Sequence, residues 1–78
     1  MELYRIKDPD YIEGFSLGQI LAKKINVSEY ETLEKGIAIK EKLLEMFEKN
    51  FGWTEEKPHP TYMKELGILD ALKKENND

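Results

Sequence analysis

The string Gly14-Phe15-Ser16-Leu17-Gly18 has the G-x-S-x-G spacing of a nucleophile elbow. In that motif a serine is raised on a sharp strand-to-helix turn and attacks a carbonyl, with a histidine and an acid assembled on a large sheet. A chain of 78 residues has no room for such a sheet, and the residues before Ser16 read as a helix start rather than a strand. The match is therefore one of letters only. His59 is the single histidine and there is no cysteine, so disulfides, thiolate metal sites and histidine clusters are excluded. Acidic residues are plentiful, but no pair carries a pattern that would raise one pKa and leave the other low, as acid-base catalysis by carboxylates needs. The expectation is a protein that is not an enzyme and uses no cofactor or metal.

Binding chemistry is better represented. Between Trp53 and Tyr62 the chain concentrates an indole, an imidazole, a phenol, Lys57 and the hydroxyls of Thr54 and Thr61. Rigid aromatic residues on a loop make good anchors, aromatic faces stack on nucleobases and lysines hold phosphates. The bland reading of Trp53 and Tyr62 is that they close one end of the core. Lys40 is out of place on its helix, since a wheel sets it among Leu33, Leu44 and Phe47. It either runs its methylenes over the core to reach the edge, or serves as an anion ligand or an ion-pair partner across an oligomer interface. The candidate ligand-binding set is Lys40, Trp53, Lys57, His59, Tyr62 and Arg5.

Positioning these residues requires helices. Met1 to Lys7 shows no clean face and reads as a short arm. Asp8-Pro9 reads as an N-cap followed by the proline favoured at the first helical position, opening a helix to about Ile25. Ser28 and Glu31 have capping-box spacing, and Gly52 is a plausible stop, so a second helix of about 23 residues, roughly 35 Å long, is expected between them. Pro60 can open a third helix, with Gly67 as a kink or break and a polar tail from Glu75. Gly14, Gly18 and Ala22 form a small-residue ridge on the first helix. Either another backbone approaches it closely, the expected partner being the long helix near Gly36, or the glycines loosen the helix and mark its true start near Ser16.

On the long helix the wheel gathers Ile39, Leu43, Met46, Phe47 and others into an apolar arc of about 200°, wider than one neighbour covers. Glu34, Glu41, Glu45 and Glu48 form a ridge on the other face, with Lys35, Lys42 and Lys49 beside it. The expected interface residues are Gly14, Gly18, Ala22, Ile39, Leu43 and Met46. The fold expected is all-α, one small domain over 1-78: a helical hairpin with a long central helix, a third C-terminal helix and a short N-terminal arm.

The net charge is −4, with 36% charged residues, which argues against a nucleic-acid backbone as partner. No apolar run reaches the length of a membrane span and no signal peptide stands at the N-terminus, so a cytoplasmic location is expected. In general build the chain resembles the small inhibitors encoded by phages and mobile elements, and helical phage proteins that sequester cyclic-nucleotide signals. The wide arc calls for a second copy, so the expectation is a homo-oligomeric binding protein that occupies a partner protein or, as the alternative, holds a nucleotide-like anion.

Overall fold

Asp8 starts the first helix by satisfying its free amides. Its carboxylate accepts from the backbone of Asp10 at 2.9 Å and of Tyr11 at 3.1 Å, and Pro9 follows at a position that needs no donor. The computed structural model describes residues 8–26 and 32–77, in which helices α1 (Pro9–Asn26), α2 (Leu33–Phe51) and α3 (Pro60–Asn77) account for nearly everything. The expected N-terminal arm, with Arg5, and the Ser28/Glu31 capping box lie outside the described residues. The all-α expectation holds.

The long central helix does not stand out. Thr32, not Ser28, caps α2, its hydroxyl accepting from the Lys35 amide at 3.2 Å. Gly52 ends it as expected, in the left-handed region with φ 70° and its amide on the Glu48 carbonyl. The three helices are 18, 19 and 18 residues long. What distinguishes one of them is position. α3 packs closely against both α1 and α2, which barely touch each other. Its apolar residues accordingly run round most of its circumference: Tyr62, Met63, Leu66, Ile68, Leu69, Ala71 and Leu72 are all buried. One core cluster joins Ile68 and Leu72 to Ala22, Ile25 and Leu33, and a second joins Met63, Leu66 and Leu69 to Leu44.

The glycine ridge of α1 lies against α3, not against α2 as the sequence suggested. A methyl group added at Gly14 would collide with the carbonyl oxygen of Lys64, and one at Gly18 would fall 2.7 Å from the Ile68 oxygen and the Ala71 side chain. Gly67 does not split α3, which runs unbroken from Pro60 to Asn77. It is the reciprocal contact, its missing side chain leaving room for the Tyr11 carbonyl and the Phe15 amide. Gly67 and Ala71 thus repeat on α3 the four-residue small spacing of Gly14 and Gly18 on α1. Gly14 meets Lys64 and Gly18 meets Ile68 and Ala71, so the two helices advance in the same direction. Facing carbonyls and α-carbons at such a crossing allow weak Cα–H···O contacts.

Gly14→Ala is expected to lower the melting temperature, although alanine is the better helix former by about 1 kcal/mol. Gly36→Ala is the control. Its added methyl would meet only the ends of flexible side chains, Ile25 at 3.3 Å and Leu72 at 3.5 Å, and should leave stability equal or higher. Thermal melts that order the two variants the other way would refute the backbone contact.

Candidate functional site

The loop after α2 is built by its own side chains. The Thr54 hydroxyl accepts from the amides of Glu56 at 3.2 Å and Lys57 at 3.0 Å, and the Thr54 amide donates to the Lys57 carbonyl. This turn carries the chain back so that His59 caps α3. The His59 carbonyl accepts the first intrahelical bond, from Met63 at 2.9 Å, and its Nδ1 accepts from the Thr61 amide at 3.2 Å. An acceptor at Nδ1 places the ring proton on Nε2. The imidazole lies flat on the Trp53 indole, with centroids 3.8 Å apart and planes 8° from parallel. Phe51 also stacks on Trp53 at 4.6 Å, and Phe47 approaches it at 5.2 Å.

Of the expected ligand-binding residues, the structure brings Trp53 and His59 together, and no base could enter between rings in van der Waals contact. Lys57 is exposed on the turn. Tyr62 points into the core, 4% exposed, and its hydroxyl donates to the Glu48 carboxylate at 2.7 Å. Lys40 is held at 2.6 Å by Glu65 of α3, both side chains about one-fifth exposed. It is therefore a partner in an ion pair, as one reading allowed, but within the chain. Tyr11 makes the matching link from α1, its hydroxyl donating to Asp70 at 2.8 Å. Each outer helix is thus fastened to α3 by a phenol and a carboxylate. Arg5 lies outside the described residues.

Among the expected interface residues, Gly14, Gly18 and Ala22 face α3 inside the molecule. Ile39 and Met46 are 66% and 46% exposed on the outer side of α2, and Leu43 is half-buried beside them. Phe47 and Phe51, absent from the expected set, continue the line: Ile39, Leu43, Phe47 and Phe51 are four apart and form one ridge. Their spacing was the available signal. Ser16 is exposed in the middle of α1, where the glycines around it serve packing and the residues from Pro9 up to it are helical. An open groove on α1, lined by Tyr11, Ile12, Phe15 and Ser16, is mostly apolar. No group of acidic or histidine residues among the described residues could hold a metal ion, and no helix there is long and apolar enough to cross a membrane. The chain matches no protein-family model, and comparison with curated proteins and with solved structures gives no match.

Lys40→Met is expected to lower stability by about 1–3 kcal/mol, because it leaves the Glu65 carboxylate half-buried and uncompensated. Lys40→Met with Glu65→Leu should recover most of that loss in urea titrations; a double variant no better than the single would refute the pairing. At the loop, His59→Asn keeps a capping acceptor but removes the stacked ring. It should red-shift Trp53 emission with little change in melting temperature, whereas His59→Ala should show the same red shift and lose about 1 kcal/mol. Unaltered emission in both would exclude the stack from solution.

Proposed function

We propose that this chain is a small acidic, non-enzymatic binding protein that acts by occupying a partner protein, with the outer face of α2 as its contact surface. One observation carries the reading. Ile39, Leu43 and Met46 form an apolar strip on the outer side of α2, with Ile39 66% and Met46 46% exposed, and Phe47 joins this strip to the core cluster of Tyr62 and Met63. Scattered exposed apolar residues are ordinary, but a strip along one helix rimmed by charge is the usual form of a protein-binding surface. A helix face of this kind recognises a partner through anchors at i, i+4 and i+7 spacing. The anion-sequestering alternative is the weaker of the two, since Lys40 and Tyr62 direct their polar ends at Glu65 and Glu48.

A photo-reactive phenylalanine analogue placed at Ile39 is expected to give one defined covalent adduct in the cell that makes the protein. The same group at Glu34, on the opposite face, should give none. Equal adducts from both positions, or none from Ile39, would overturn the assignment. Melts against a nucleotide panel test the alternative. This reading expects no shift, and stabilisation near 2.7 kcal/mol at a hundredfold excess of ligand over Kd would replace it.

A further inference from the structure

Resting on that reading, we infer that the partner presents an acidic amphipathic helix, which lies along α2. Two features of the strip's border select it. The first is charge. Lys35, Lys42 and Lys49 recur every seven residues, all exposed, and on a wheel at 100° per residue they lie within about 80° of Ile39. Among the described residues none of the three is engaged in an ion pair, whereas Lys40, Lys64 and Lys73 are paired with Glu65, Glu13 and Glu41. The glutamates of α2 that meet α3 are on the far side, Glu41 reaching Lys73 at 3.3 Å and Glu48 reaching Tyr62. A protein of net charge −4 therefore keeps a basic edge beside its apolar strip.

The second is shape. Lys42, Glu45, Met46 and Lys49 surround an open depression on the helix surface. Residues at i, i+3, i+4 and i+7 form the four-cornered hole that accepts one knob from a facing helix. Two ammonium groups, one carboxylate and a thioether border it, so the rim carries a net positive charge. A helix with an apolar seam flanked by glutamate or aspartate satisfies both features. A second copy of this chain does not. An antiparallel two-fold pairing along α2 sets one lysine edge against the other, and a parallel one sets it against a border of Phe47, Phe51 and the already paired Lys40, which offers the lysines no carboxylate of α2.

The probe is a stapled 21-residue helix with leucine at the first and fourth positions of each heptad and glutamate at the flanking ones, compared with its lysine-flanked counterpart. Fluorescence anisotropy is expected to show preference for the glutamate peptide by at least tenfold. The triple variant Lys35→Glu, Lys42→Glu, Lys49→Glu should reverse that preference. Lys23→Glu, Lys24→Glu, Lys57→Glu changes net charge equally on other surfaces and should shift affinity by less than threefold. Equal binding of both peptides, binding of neither, or equal effects of the two triple variants would each overturn the acidic-helix assignment. Those results would leave the binding-protein reading to the Ile39 adduct, which does not depend on charge. A doubled solution mass that Ile39→Asp returns to 9.2 kDa would assign the strip to self-association and overturn the inference as well.

Discussion

Two helices can bring their backbones into contact only where side chains are missing from both. The crossing of α1 and α3 is made this way, with Gly14 and Gly18 on one side and Gly67 on the other. Its consequences reach beyond the pair. Because α1 sits so close, α3 is left with most of its girth still to be covered, and α2 takes it through Leu33, Leu44 and the chain around Ile37. The last helix, not the middle one, becomes the axis. Among the described residues, nothing then covers the other side of α2.

Polar contacts follow the same geometry. Asp70, Glu65 and Tyr62 of α3 meet Tyr11, Lys40 and Glu48, so each interface couples apolar packing to charge-assisted hydrogen bonds. Such links contribute modestly to stability but fix register, because a helix sliding by one turn would strand a half-buried carboxylate. They also divide the charges of α2. Its acids engage α3 at Glu41 and Glu48 while three lysines stay on the solvent side. A sequence that is acidic on average thus presents a basic edge at one place.

The local signals in the sequence were readable because they act locally. Asp8-Pro9, Gly52 and Pro60 mark helix ends by the hydrogen bonds and dihedral angles they permit, and all three do so here. Ser28 and Thr32 offer the same capping chemistry four residues apart, so the sequence alone does not say that Thr32 opens α2. Which helix faces the glycine ridge was not readable from the ridge itself, since a row of small residues says that something approaches and not what. The matching Gly67 and Ala71 held the answer, but glycine in a helix also reads as a break. Glu65 as the partner of Lys40 left no trace at all: the two are 25 residues apart and meet only through the antiparallel packing of α2 on α3. Of the candidate site, the exposed strip and lysine row were visible as periodicity, while the closed stack of Trp53 and His59 depended on the turn that Thr54 builds.

An uncovered apolar row could be a mere remainder of a small fold, and the distribution of contacts speaks to that. Ile39 and Met46 touch little, so shortening them or making them polar would cost the folded state little and relieve an aggregation hazard. The packing of α2 onto α3 runs instead through Leu33, Lys40, Leu44 and Phe47. Stability therefore supplies no reason for isoleucine and methionine to stand exposed on the outer arc. An interaction made on that surface does, and the division of α2 into one face that holds the fold and another that meets a partner lets each be altered without the other.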